Sequence, residues 1–92
     1  MTPEGKIKAK VKRQLDKIGA YYFSPQAGIY GRAGVPDIVG CWKGKYFAIE
    51  CKAGNNTPTD LQKREMERIF DAGGIVMLIN EDNLDEVERN LK

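Results

Sequence analysis

The sequence contains no histidine. That absence removes Ser-His-Asp and Cys-His catalysis and every histidine-ligated metal centre. Cysteine is scarce, with only Cys41 and Cys51. Two thiols without histidine fall short of the four ligands of a structural zinc site. The segment Met1-Thr2-Pro3-Glu4-Gly5-Lys6 lacks the apolar core of a signal peptide. With so few cysteines, this leads us to expect a reducing, cytoplasmic setting. Long apolar runs are missing too. Ile75-Val76-Met77-Leu78-Ile79 is typical of the longest, far short of a membrane span, so no membrane partner is expected. No linker, repeat or low-complexity tract divides the chain, and residues 1–92 read as a single domain.

What is present is an ordinary folded composition. Apolar residues make up 41% of the 92 positions and charged residues 30%. A chain this short buries only about 60–65% of its unfolded surface, so a second copy would help and a homodimer is expected. The net charge of +2 hides an asymmetry. Residues 1–52 carry ten Lys/Arg against four Asp/Glu, whereas residues 53–92 carry five against nine. A basic half on a near-neutral chain fits a polyanion held on one face. The plainer reading is a solvated surface and an acidic C-terminal helix.

Thr2 as N-cap, Pro3 in the first turn and the stripe Ile7, Val11, Leu15, Ile18 predict a helix over 3–18, closed by Gly19. Lys6, Lys10, Arg13 and Lys17 then share one basic face. Ala20-Tyr21-Tyr22-Phe23-Ser24 reads as a strand, and 28–34 as a glycine-rich loop. Two strands follow, 37–42 and 45–52, joined at Lys43-Gly44. Thr57-Pro58 should start a helix to about Asp71, with Gly73-Gly74 closing it. The unbroken apolar run Ile75–Ile79 predicts a central strand covered on both faces. Asn83 should cap a last helix bearing Leu84, Val87 and Leu91. The order is α-β-β-β-α-β-α: an α/β fold, with a small mixed sheet flanked by helices and a right-handed parallel crossover.

A two-residue turn at Lys43-Gly44 opposes Trp42 to Lys45, Cys41 to Tyr46, Val39 to Ala48 and Asp37 to Glu50. Alternation puts Lys52 on the face of Glu50. Directly opposed like charges destabilise a sheet, so the two carboxylates need a reason. A divalent cation supplies one. The bland alternative is two solvated strand ends with a simple ion pair to Lys52. Against it, Glu50 follows Tyr46-Phe47-Ala48-Ile49 in a strand that otherwise reads as buried. Cys41 and Cys51 fall on opposite faces in this register, which excludes a disulfide between them. Both read as small buried residues, and Trp42 as a packing or interface residue.

Pro36-Asp37, twelve residues, then Glu50-Cys51-Lys52 resembles the PD-(D/E)xK nuclease signature. The wider context is Gly34-Val35-Pro36-Asp37-Ile38-Val39-Gly40, Phe47-Ala48-Ile49-Glu50-Cys51-Lys52 and Thr57-Pro58-Thr59-Asp60-Leu61-Gln62. It resembles the VRR-NUC (virus-type replication-repair nuclease) family, in the minimal stand-alone form of phages and bacteria. The resemblance implies a restriction-endonuclease-like core. It also implies Mg2+ or Mn2+ held by Asp37, Glu50 and the backbone carbonyl of Cys51, hard oxygen ligands suited to these ions. Lys52 would hold the attacking water or stabilise charge on phosphorus. Gln62 would line the site and Glu4 would reach it from the first helix. No small-molecule cofactor is implied.

Lys6, Lys10, Arg13, Lys17 and Arg32 are the candidate phosphate contacts. No base-reading module is visible, so recognition of DNA shape is expected. The expected activity is a structure-selective DNA endonuclease, resolving four-way (Holliday) junctions as a symmetric dimer. The alternatives are a non-cleaving module that binds branched nucleic acid, and a protein-interaction domain; metal dependence separates the nuclease from both.

Overall fold

The computed structural model describes residues 1–26 and 33–92. Helix α1 spans Pro3–Ile18. Thr2 Oγ1 accepts the Gly5 N–H at 3.0 Å, which satisfies one of the free amides of the first turn. Gly19 ends the helix and donates to the Asp16 and Leu15 carbonyls. Ile7, Val11 and Leu15 are buried. Each such side chain contributes about 1.5–3 kcal/mol on full burial.

Four strands follow: β1 at Tyr21–Phe23, β2 at Ile38–Trp42, β3 at Lys45–Cys51 and, after α2 at Asp60–Asp71, β4 at Ile75–Ile79. Helix α3, Glu86–Leu91, closes the chain. The sheet order is β1-β2-β3-β4. The first three strands are antiparallel, and β3 and β4 are parallel across the α2 crossover. Lys43 and Gly44 both have positive φ, so the hairpin turn has the expected two-residue form, and Trp42 pairs with Lys45. One sheet face carries Ile38, Phe47, Ile49, Cys51, Met77 and Ile79 against α1 and α3, and this is the core. Trp42 packs against it and donates its indole N–H to the Ile18 carbonyl at 3.1 Å. The other face carries Val39, Ala48 and Glu50, with α2 lying beside β4.

The structure corrects several expectations. β4 is an edge strand, not a central one. Met77 and Ile79 are buried, but Leu78 between them is 46% exposed, because α2 covers that face incompletely. The doubly covered strand is β3, buried without a break from Phe47 to Cys51. Helix α2 is capped by Thr59 rather than Thr57. The Thr59 side chain accepts the Gln62 N–H while Gln62 Oε1 accepts the Thr59 N–H, a capping box that Thr57 lacks. Asn83 does not cap α3. Its side chain accepts the Asn80 N–H and donates to the Leu78 carbonyl, bracing the turn after β4. Cys41 is exposed, as are its strand partners Tyr21 and Tyr46, and Cys51 is buried; both are free thiols.

Gly34 fixes how the chain enters β2. Its φ is +77°, and a Cβ there would lie 2.6 Å from the Leu61 backbone carbon. Only glycine lets this segment rest against the first turn of α2. Pro36, buried, and Asp37 follow directly.

Candidate metal centre and catalytic site

The hairpin register brings the acidic pair together. Ile38 pairs with Ile49, so the next step outward sets Asp37 opposite Glu50, at the C-terminal end of the buried strand. Glu50 is 1% exposed, and among the described residues neither carboxylate oxygen has a hydrogen-bond donor. A buried carboxylate without a donor is costly, and it escapes by holding a proton or by binding a cation. Burial first, and then the carboxylate of Asp37, push the Glu50 pKa up to about 8.

Asp37 is placed differently. Its Oδ2 accepts the Cys51 N–H at 2.8 Å, and its Oδ1 lies 3.2 Å from Lys8 Nζ. Burial works to raise its pKa. The neighbouring Glu50 carboxyl, the Cys51 amide and Lys8 outweigh burial, and the net shift is downward. The two carboxyls therefore titrate as one pair, with Glu50 holding the proton and Asp37 ionised. Burial also pushes the Cys51 thiol up to about 12, so it is an inert neutral group.

Two further sequence-predicted residues stand together at the edge of this pair. Lys52 Nζ is 4.0 Å from Glu4 Oε1, which places the first turn of α1 against the end of β3. A cavity of about 300 Å³ opens beside them, lined by Thr2, Pro3, Glu4, Ala53 and Asn56. A larger cavity, about 590 Å³, lies around Lys45, Tyr46, Glu65, Arg68 and Gly74, and Asp37, Glu50 and Glu4 do not line it. Gln62 is half-buried in the first turn of α2, where its side chain closes the capping box. Lys6, Lys10, Arg13 and Lys17 are all exposed along α1. Arg32 lies outside the described residues.

Sequence reasoning missed Lys8. The signal was available: Lys8 stands four positions after Glu4, so a helix that turns Glu4 toward the site turns Lys8 there too.

The donor set fits a hard divalent cation. Among the described residues no group of three or more His, Cys, Asp and Glu side chains forms a cage. Two carboxylates with a backbone carbonyl and several retained waters are what Mg2+ or Mn2+ accepts. The two donorless oxygens of Glu50 are the observation that favours the fit.

A mixed sheet of this order, with Asp37 just ahead of one inner strand, Glu50 near the end of the other and a lysine just beyond, has the architecture of the PD-(D/E)xK nuclease fold. No protein-family model matches the chain. It is 38% identical over 88 residues to "Putative nuclease p44" of Acyrthosiphon pisum secondary endosymbiont phage 1, covering 91% of this chain and 89% of that protein. A solved structure described as a VRR_NUC domain superposes with a TM-score of 0.76 at 24% identity, over 97% of this chain and 94% of that one. The chain belongs to the VRR-NUC family. No helix among the described residues is long and apolar enough to cross a membrane.

Proposed function

We propose that this chain is a divalent-metal-dependent DNA endonuclease. The buried Glu50 carboxylate, without a donor and set against Asp37, is the observation that carries the reading. Asp37, Glu50 and the Cys51 carbonyl would hold Mg2+ or Mn2+. Once bound, such a cation supplies Lewis-acid activation of water and of the scissile phosphate. The Cys51 N–H orients Asp37, so that its carboxylate is set before any ligand arrives. Lys52 orients the attacking water or stabilises the charge developing on phosphorus. Glu4, which faces Lys52, restrains that ammonium from the far side. Gln62 lines the site from α2, and its capping box keeps that helix end rigid.

Lys6, Lys10, Arg13, Lys17 and Arg32 contact phosphates. Such contacts give affinity without base readout, so substrate choice follows DNA shape. A homodimer would pair two such sites about a two-fold axis, which matches a branched substrate such as a four-way junction. Its two free thiols, Cys41 and Cys51, suit a reducing, cytoplasmic setting.

Labelled four-way junction, flap, duplex and single-stranded DNA, incubated with Mg2+, with Mn2+ and with chelator, test this reading. We expect wild type to cut with either metal, junctions fastest, and Lys52→Ala to bind without cutting. Tight junction binding with no cutting under any metal would replace the nuclease by a binding module.

A further inference from the structure

Lys8 holds Asp37 directly, and the nuclease motif does not account for it. Its Nζ lies 3.2 Å from Asp37 Oδ1, while Oδ2 already accepts the Cys51 N–H. Both oxygens of that carboxylate are therefore engaged. Lys52, the lysine of the motif, turns toward Glu4 instead. Glu50 receives no donor from the described residues.

Helix α1 explains why Lys8 alone of its lysines stands here. Ile7 and Val11 point into the core, and Lys6 and Lys10 are exposed. Lys8 sits between these faces, with its side chain 37% exposed and its ammonium bridging site and solvent. A divalent cation shared by Asp37 and Glu50 must coordinate an oxygen of Asp37. The ammonium would then stand beside a double positive charge in a half-buried position where screening is weak. Its long stem and open flank give it a way out. An incoming phosphodiester brings anionic oxygens to the same place.

We propose that Lys8 is an exchangeable counter-ion: it neutralises Asp37 in the metal-free chain and passes to a non-bridging oxygen of the substrate phosphodiester when a divalent cation takes that carboxylate. The inference rests on the nuclease reading above and adds to it a phosphate contact outside the motif. Lys8 has two consequences of opposite sign. It competes with the metal, and it assists the substrate. A residue that merely braced Asp37 would help both.

The test compares wild type, Lys8→Met and Lys8→Arg. Mn2+ binding is measured by calorimetry without DNA. Junction DNA binding is measured in Ca2+, under conditions where no strand is cut. Lys8→Met should bind Mn2+ about 3–10-fold more tightly and DNA about 3–10-fold more weakly, while Lys8→Arg stays within about twofold of wild type on both. Equal or weaker Mn2+ binding by Lys8→Met overturns the exchange, and unchanged DNA binding overturns its phosphate half. Wild type taking up no Mn2+ overturns the nuclease reading and the exchange with it. Uptake by wild type with an unchanged Lys8→Met overturns the exchange alone. Lys8→Gln carries the same comparison if Lys8→Met fails to fold.

Discussion

Replacing Glu50 by glutamine should stabilise the metal-free protein, and by an amount that grows with pH. Burial and Asp37 raise the Glu50 pKa from 4.5 to about 8. Between those values the folded state holds a proton that the unfolded chain has released. Stability therefore falls as pH rises through this window, by at most about 1.4 kcal/mol per unit. The full window would cost about 4–5 kcal/mol; coupling to Asp37 and local relaxation reduce this to about 2–3 kcal/mol at pH 8. Below about pH 4 the group is neutral in both states for most of the time, and the cost nearly vanishes. Glutamine keeps the shape, cannot ionise, and offers an amide donor to Asp37. Urea unfolding in chelator at pH 4 and pH 8 measures the difference. We expect the two proteins to be nearly equal at pH 4, and Glu50→Gln to be about 2–3 kcal/mol more stable at pH 8. In a domain this size that is a shift of about 8–24 °C in Tm. Saturating Mn2+ should reverse the order, since only wild type gains by binding it. A Glu50→Gln variant no more stable than wild type at pH 8 would refute the idea that this carboxylate is strained without a cation.

Lys52→Ala should lower the single-turnover cleavage rate by about 10²–10³-fold, with junction affinity nearly unchanged. Mn2+ affinity, followed by calorimetry from pH 6 to 9, should rise by up to about tenfold per unit until Glu50 is ionised near pH 8, then level off. Replacing Lys6, Lys10, Arg13 and Lys17 with alanine should weaken DNA binding in a titration, and reduce the log–log salt slope by about 0.9 for each phosphate no longer neutralised. Gly34→Ala should cost about 2–3 kcal/mol in urea unfolding, because the positive φ and the Leu61 backbone both oppose a Cβ.

Much of this geometry is legible in the sequence because short-range rules fix it. Lys43-Gly44 takes a two-residue turn, and that turn alone dictates which residues of β2 and β3 oppose each other. From the register follows the meeting of Asp37 and Glu50, and the separation of Cys41 from Cys51 onto opposite faces. Helix α1 is equally readable, since its cap, its apolar stripe and its closing glycine all agree. What escapes depends on neighbours that no local pattern names. Ile75–Ile79 has the composition of a covered strand, but its place at the sheet edge is set by the crossover and by how little of the face α2 shields. Thr57 and Thr59 are both credible caps, and only the partnership of Thr59 with Gln62 decides between them. Asn83 satisfies the backbone behind it rather than the helix ahead. Lys8 resembles any other solvated lysine of the helix, because its contact with Asp37 crosses 29 positions of chain.

Asp37 and Glu50, on this reading, are set together to hold a divalent cation. Crystals grown with Mn2+ and measured at its absorption edge address that directly. We expect an anomalous peak shared by the Asp37 and Glu50 carboxylates, with Lys8 withdrawn from Asp37. A well-ordered site with no peak there, and Glu50 protonated against Asp37 at saturating Mn2+, would contradict it.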